Sequence, residues 1–221
     1  EPHLNLAVMY DAAGDLESAE ESARKALRLE PGRSNIRTYL AQIMMKQDRY
    51  GEAVSLLEEG LSLSPRDPTL LYQLGIVQDR MGNFDLAVKT MENLLEVDPE
   101  HADALNYLGY SWAERGVNLD EALEMIRKAL RIRPEASYIM DSLGWVYFQM
   151  GRYEEALDML LKAAEEMSDD PTVLEHIGDT YEQLGREELA VQYWSRALAR
   201  DPENDDIRRK LEEKGAIEAL P

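Results

Sequence analysis

The chain has 221 residues, of which 44% are hydrophobic and 31% are charged, so it is apolar enough to form a core. Its 24 Lys and Arg residues stand against 44 Asp and Glu residues, which gives a net charge of −20. This acidity argues against nucleic acid and anionic lipid as main partners, because both bind basic surfaces. The chain has no Cys, which excludes disulfides, thiolate zinc sites and a cysteine nucleophile.

Proline and glycine recur along the chain at a fixed interval. Pro31, Pro65 and Pro99 lie 34 residues apart, and Pro134 follows 35 residues later. Asp48 occupies the one grid position where a glycine is missing. The glycines on the same grid are Gly14, Gly75, Gly82, Gly109, Gly116, Gly144, Gly151, Gly178 and Gly185. A fixed interval of roughly 20 to 50 residues predicts an array of small repeated units.

Each repeat predicts two helices separated by a turn. From Thr69 to Met81 the apolar residues are three or four apart, which places them on one helical face. Gly82 interrupts this pattern. A second helix is predicted from Asp85 to Val97, and it ends before Pro99 because proline cannot continue a helix.

Two further signals mark helix starts and the end of the array. Pro68 and Pro171 occupy the same grid position and predict the starts of first helices, since proline is favoured at the first helical position. Asp205 to Gly215 predicts a final helix with a polar surface. A terminal element of a repeat array needs such a wet outer face, so this helix is predicted to be a cap.

This pattern resembles the tetratricopeptide repeat (TPR), a helix–turn–helix unit of about 34 residues. Small residues are needed where two helices approach closely, and aromatic residues fill the wedge between neighbouring repeats. The residues that carry the resemblance are Ala41, Gly75, Gly109, Gly144 and Gly178, the aromatic residues Tyr10, Trp112, Tyr147 and Tyr181, and Ala19, Ala53, Ala87, Ala122, Ala156 and Ala190 in the second helices. The match covers about residues 1–204.

The resemblance implies an all-α fold, a right-handed α-solenoid of about six TPR helix-turn-helix repeats and a C-terminal capping helix. We assign repeats to residues 1–33, 34–67, 68–101, 102–136, 137–170 and 171–204, and the capping helix and tail to 205–221. The fourth repeat has one extra residue near Gly116. The start at Glu1, without Met, is interpreted as a processed or cut end of the first repeat, where Leu4, Leu6 and Val8 predict an uncovered apolar surface.

In this family the first helices line a concave groove, usually through the second, fifth, ninth and twelfth residues of each repeat. We therefore predict a peptide-binding groove formed by Tyr72, Ile76, Asn106, Tyr110, Tyr138, Asp141, Trp145, Phe148, Glu175, Asp179 and Glu182. Its middle is aromatic and its C-terminal end acidic, which predicts a protein or peptide partner with apolar and basic character. The amide of Asn106 is predicted to hydrogen-bond the partner's backbone. The protein's own terminus or a second copy could instead cover these aromatic side chains.

The histidine side chains do not form the pattern of a catalytic or metal-binding site. His3, His101 and His176 lie in different repeats without the spacing of metal ligands, and we expect each of them on the surface. The glycines belong to helix turns and helix contacts rather than to a phosphate-binding loop. The sequence therefore predicts no catalytic residue, no metal site and no cofactor, and hence a protein that is not an enzyme.

A narrower resemblance concerns the stretches from Asn106 to Ala122 and from Asp141 to Trp145. They resemble bacterial multi-TPR proteins, some of which are outer-membrane lipoproteins that act as adaptors for periplasmic proteases or envelope machinery. This implies a bacterial scaffold in the periplasm or at the outer membrane, with the cytoplasm as the alternative location. The lipid-attachment Cys of such lipoproteins is absent.

The predicted function is a non-catalytic scaffold or adaptor that binds a peptide or protein segment in its groove. The alternative is a self-assembling structural TPR protein, a homo-oligomer formed through its first repeat. No direct insertion of this segment into a membrane and no nucleic acid partner are expected.

Overall fold

The computed structural model describes residues 2–217, and every regular element in that range is a helix. The helices are α1 (Pro2–Ala12), α2 (Leu16–Leu29), α3 (Ser34–Lys46), α4 (Tyr50–Leu63), α5 (Pro68–Arg80), α6 (Phe84–Val97), α7 (Ala102–Glu114), α8 (Leu119–Ile132), α9 (Ser137–Gln149), α10 (Tyr153–Glu166), α11 (Pro171–Gln183), α12 (Glu187–Arg200) and α13 (Asp205–Glu213). The all-α helical-repeat fold predicted from the sequence is confirmed. The predicted helix pair of the third repeat is α5 and α6, and the predicted final helix is α13.

The helix starts follow the prolines and acidic caps of the sequence. Pro68 and Pro171 are the first residues of α5 and α11, as predicted. The Asp67 carboxylate accepts a hydrogen bond from the backbone N–H of Thr69 at 2.9 Å, and Asp170 caps α11 in the same way. Each such cap satisfies backbone donors that the helix leaves unpaired and contributes about 1 kcal/mol.

The turns between paired helices need a residue in the left-handed backbone region. Gly82 serves this purpose after α5 with a φ of +75°. Asp48, which fills the grid position without a glycine, has a φ of +58° after α3. In the fourth repeat the extra residue produces two left-handed residues, Gly116 and Asn118. The grid therefore marks a backbone requirement, which Asp and Asn tolerate better than most other residues.

The small residues of the grid lie where two paired helices touch. A Cβ added to Gly109 on α7 would lie 2.6 Å from Cγ1 of Ile126 and 2.9 Å from the carbonyl oxygen of Ala122, both on α8. Ala122 and its equivalents in the other second helices are fully buried. Glycine and alanine thus set the distance between the two helices of a repeat.

The chain divides into two compact units, residues 1–104 and 105–221, with α7 beginning in the first and continuing in the second. In unit 1, α1 to α6 pack in chain order, each against the next, and the first helices α3 and α5 also touch. Its core includes Leu40, Ile43, Leu57 and Leu70, all at most 1% exposed.

Unit 2 repeats this packing, with α8 to α13 each against the next and the first helices α9 and α11 in contact. Leu160, Ile177 and Trp194 are fully buried in its core. The last helix, α13, packs on α12 and buries Ile207 and Leu211 completely. Within residues 2–217, none of the helices combines the length and apolar character needed to cross a membrane.

Candidate functional site on the first helices of unit 2

The predicted groove residues divide between the two units, which are described separately. In unit 1, Tyr72 and Ile76 lie half-buried on α5, and the Tyr72 ring is 5.0 Å from the ring of His101. The remaining residues lie on α7, α9 and α11 of unit 2, and we call their surface the first-helix face. It comprises Asn106, Tyr110, Tyr138, Asp141, Trp145, Phe148, Glu175, Asp179 and Glu182.

A buried pair joins α9 to α11 at this face. The Nδ1 atom of His176 lies 2.9 Å from Oδ1 of Asp141. Both side chains are buried, since His176 is 5% exposed and Asp141 is 8% exposed. A carboxylate only accepts hydrogen bonds, so Nδ1 carries the proton of the neutral imidazole.

The charges around His176 favour its protonated form. Burial opposes a charge on the ring, but the hydrogen bond to Asp141 and the negative charges of Asp141, Asp179 and Glu114 outweigh it. The pKa of His176 is therefore raised above its ordinary value of 6.5.

Aromatic rings cluster around the same histidine. The indole of Trp145 stacks on the His176 ring at 4.1 Å and on the Phe148 ring at 4.7 Å, with interplanar angles of 17° and 5°. The Tyr110 ring lies 6.5 Å from His176, and the Tyr153 ring meets the edge of Phe148. Most of the predicted aromatic positions are thus brought together by a residue that was not among them.

Sequence reasoning placed His176 on the surface, and the structure shows that this is wrong. His176 is the sixth residue of its repeat, and sixth residues reach back to the first helix of the preceding repeat. Tyr39 donates a hydrogen bond to Asp11 at 2.9 Å, and Gln73 accepts one from Gln42 at 3.0 Å. The sixth position of the repeat is therefore the sequence signal that would have identified His176 as an inter-repeat contact.

Two buried polar atoms of the first-helix face lack a hydrogen-bond partner. They are Oδ1 of Asn106 and Nε1 of Trp145, and no other buried side-chain nitrogen or oxygen of residues 2–217 shares this condition. Asn106 precedes Tyr110 by one helical turn, so both project from the same side of α7. Tyr110 is half-buried, and its burial, followed by the charge of Glu114, raises the pKa of its hydroxyl.

The acidic end of the predicted groove is met by the capping helix. Nζ of Lys210 on α13 lies 2.8 Å from Glu175 and 2.6 Å from Asp179, and Lys214 lies 3.1 Å from Glu182. The prediction treated these carboxylates as free to select a basic ligand. The structure pairs them with lysines of the same chain, with Lys210 shared by two carboxylates, and their role in selecting a ligand stays a prediction.

Asp179 also has a structural partner in the core. Its Oδ1 accepts a hydrogen bond from Nε1 of Trp194 at 2.8 Å. Burial raises the pKa of Asp179, against the opposing effect of Lys210. Asp179 therefore helps to hold α11, α12 and α13 together. At the other end of the face, Tyr138 is 38% exposed and its hydroxyl accepts a hydrogen bond from Arg133.

Comparisons with known proteins agree with this architecture. Three family models, each described as a tetratricopeptide repeat, match residues 10–60, 72–137 and 106–210. The TPR repeat-containing protein PA4667 of Pseudomonas aeruginosa is 31% identical over 142 residues, which are 63% of this chain and 24% of that protein. This chain thus spans about a quarter of the length of that relative.

Solved structures show the same fold. A tetratricopeptide repeat protein from Parabacteroides merdae superimposes with a TM-score of 0.69 at 21% identity, covering 96% of each chain. The TPR protein TTC0263 of Thermus thermophilus gives a TM-score of 0.65 at 23% identity, covering 84% of this chain and 100% of that one. Because its helices form repeated pairs with glycine at their contacts, and because these family models match it, the chain belongs to the tetratricopeptide repeat family.

Proposed function

We propose that this chain is a non-catalytic protein-interaction scaffold, and that unit 2 binds a segment of a partner protein along its first-helix face. Members of the tetratricopeptide repeat family are in general scaffolds of this kind. Repeat arrays bind through the extended surfaces that their successive helices create. We assign the binding site to the first helices of unit 2 on the basis of the side chains of that face.

The observation that carries the proposal is the pair of unpartnered atoms on Asn106 and Trp145. A buried polar atom without a partner costs about 1–3 kcal/mol. The packing of the repeat does not demand either atom, because an apolar side chain of similar size would fill the same space. Both atoms are covered by side chains of their own chain, so a bound segment reaches them only when those side chains move aside. A peptide group then offers a donor for Oδ1 of Asn106 and an acceptor for Nε1 of Trp145.

The rings beside these atoms suit the apolar side chains of such a segment. Trp145, Phe148 and Tyr110 are half-buried, and Tyr138 is exposed at the beginning of α9. Large aromatic side chains at partly covered positions are frequent anchors of protein interfaces. A basic residue of the partner would compete with Lys210 for Glu175 and Asp179 or would approach Glu114 at the end of α7. The partner is therefore proposed to combine apolar and basic side chains.

The test removes the two unpartnered atoms without removing the rings that stack. The double variant Asn106→Leu/Trp145→Phe keeps an aromatic side chain against His176 and Phe148. We expect its free energy of unfolding to match or exceed that of the wild type by about 1 kcal/mol, since unsatisfied polar atoms are lost. We expect its affinity for captured partner proteins to fall by about tenfold or more, because the acceptor of Asn106 and the donor of Trp145 are lost.

Capture is measured with immobilised protein and a cell extract, followed by calorimetry with each purified captured protein. Phe84→Ala is the matched control, since Phe84 is 50% exposed on α6 of unit 1 and lies outside the first-helix face. Equal binding by the wild type, the double variant and the control would exclude the face as the binding site. A double variant with much lower stability would show that the two side chains serve packing instead.

The proposal extends to location and to the setting of the complex. The resemblance of residues 106–122 and 141–145 to multi-TPR envelope proteins favours an adaptor in the bacterial periplasm or at the outer membrane. Immunodetection after separation of the periplasmic, membrane and cytoplasmic fractions tests this assignment. Recovery in the cytoplasmic fraction alone would contradict it.

A second candidate function is self-assembly through the first repeat. On α1, Leu6, Val8 and Met9 are 38%, 47% and 68% exposed, which leaves an apolar surface on this helix. If copies associate there, the mass measured by light scattering rises with protein concentration, and Val8→Lys with Met9→Lys restores the monomer. A constant monomer mass for the wild type would exclude this candidate.

A further inference from the structure

We propose that His176 makes the first-helix face of unit 2 responsive to pH, by taking up a proton that changes the charge of the face and the environment of Trp145. This inference rests on the proposed function and concerns the regulation of the same site. It starts from the position of His176, which contacts Asp141 through Nδ1 and Trp145 through its ring. One histidine thus touches two of the residues assigned to partner binding.

The proton enters at a defined atom. Because Nδ1–H already donates to the Asp141 carboxylate, the free ring nitrogen for proton uptake is Nε2. The ring then carries a full positive charge, while its Nδ1–H bond to Asp141 becomes a bond between opposite charges. The stacked indole of Trp145 also stabilises the cation, since the face of an aromatic ring carries negative potential.

The groups around His176 make this proton uptake favourable near neutral pH. From α9 the ring faces Asp141, and from α7 it faces Tyr110 and Glu114. Asp179 acts on it from α11 itself. From the remaining elements, Lys210 of α13 brings a positive charge to Asp179, Trp194 of α12 donates a hydrogen bond to Asp179, and Tyr153 of α10 contacts Phe148.

Each protonation state presents a different surface to a partner. With neutral His176, the pair of His176 and Asp141 carries one negative charge, which adds to those of Asp179 and Glu114 and attracts a basic partner residue. With charged His176, the pair is neutral, and the imidazolium repels a basic side chain that approaches Trp145. The first-helix face therefore favours a basic partner at higher pH and releases it on acidification.

The test follows the protons and the indole directly by NMR in the free protein. We expect the Cε1–H signal of His176 to titrate with a midpoint above 6.5, and Asp141→Asn to lower this midpoint. We expect the indole N–H signal of Trp145 to shift with the same midpoint as His176. In His176→Gln this shift of the Trp145 signal disappears, while the protein keeps its helical content and its fold.

The chain supplies its own comparison signals. His3 and His101 lie in unit 1 and are assigned with His3→Gln and His101→Gln, and the Trp112 indole gives a reference for the rest of unit 2. A Trp145 signal that does not change between about pH 5.5 and about pH 8.5 overturns the inference, as does an unchanged transition in His176→Gln. These signals are read without a partner. Their failure leaves the proposed binding function intact, whereas equal capture by Asn106→Leu/Trp145→Phe overturns that function and leaves the titration unaffected.

Discussion

The two units share one helical repeat but differ in how their first helices treat buried polar atoms. In unit 1, Gln73 on α5 accepts a hydrogen bond from Gln42 on α3 at 3.0 Å, which connects neighbouring first helices. In unit 2, the described residues include Asn106 and Trp145, each with a buried polar atom that has no partner. Neighbouring first helices are thus joined by a polar bond in both units, but only the described part of unit 2 leaves buried polar side-chain atoms without a partner.

This difference shows that one repeat architecture accommodates different patterns of polar pairing between its first helices. In unit 1 a charged group also joins neighbouring first helices, since Asp11 on α1 accepts a hydrogen bond from Tyr39 and lies 2.6 Å from Nζ of Lys46, both on α3. The Lys46 hydrogen bond lowers the pKa of Asp11, while burial and Asp11 raise the pKa of Tyr39 to about 12. Unit 2 places aromatic rings and a titratable histidine at the equivalent level of its repeats.

The largest expected effect contrasts two tryptophans within unit 2. Trp194→Phe should cost about 2–4 kcal/mol of unfolding free energy, because it opens space in a fully buried site and removes the hydrogen bond to Asp179. Trp145→Phe should change that free energy by less than about 1 kcal/mol, because its indole N–H has no acceptor to lose. Urea unfolding followed by circular dichroism measures both. Equal losses would remove the distinction between a core tryptophan and a binding tryptophan.

The next effect compares the helix contacts of the two units. Gly109→Ala in unit 2 should cost about 1–3 kcal/mol, because its Cβ would meet the backbone carbonyl oxygen of Ala122 at 2.9 Å. Gly75→Ala in unit 1 meets the flexible side chain of Met91, at its methyl and its sulfur, rather than backbone, and gains about 1 kcal/mol of helix propensity. We expect the Gly75 variant to unfold at a midpoint close to that of the wild type. If both variants lose the same stability, the neighbours do not determine the cost.

The fold was predictable from sequence because its determinants are local and repeated. A glycine grid reports left-handed turns and close helix contacts, and Asp48 fits the grid because its backbone has the same conformation as the glycines. Proline at the first position of a repeat, as in Pro68 and Pro171, likewise marks the start of a helix. Each of these signals depends only on neighbouring residues or on the paired helix of one repeat, so it recurs visibly along the chain.

The site was predictable only in part because its contacts join different repeats through residues that do not recur. The positions of Trp145 and Asn106 followed from the repeat numbering. The burial of His176 did not, since it depends on Asp141, 35 residues away, and on the stacked indole of Trp145. The neutralisation of Glu175 by Lys210 was missed for the same reason, because these residues are also 35 positions apart.

A smaller effect tests the ion pairs at the acidic end of the first-helix face. Lys210→Met should cost about 1–2 kcal/mol, because it leaves the partly buried carboxylates of Asp179 and Glu175 without their cation. Lys214→Met is the control, and we expect a smaller change there because its partners Glu182 and Glu187 are more exposed, at 36% and 70%, than Glu175 and Asp179. Thermal unfolding at low and high salt measures both, and the Lys210 loss should persist at high salt. A loss that vanishes with salt would place this contact on the surface.

The smallest effect concerns the pH dependence of stability, which separates the histidine of unit 2 from those of unit 1. The pKa of His176 is raised in the folded state, so its contribution to stability is fully present below about 6.5, the unfolded value, and is lost as pH rises through the folded pKa. The free-energy difference between the wild type and His176→Gln should therefore be larger at about pH 5.5 than at about pH 8.5. Urea unfolding at several pH values measures it, with His101→Gln as the control variant in unit 1. A difference that grows with pH would mean that burial, rather than the bond to Asp141, controls the proton of His176.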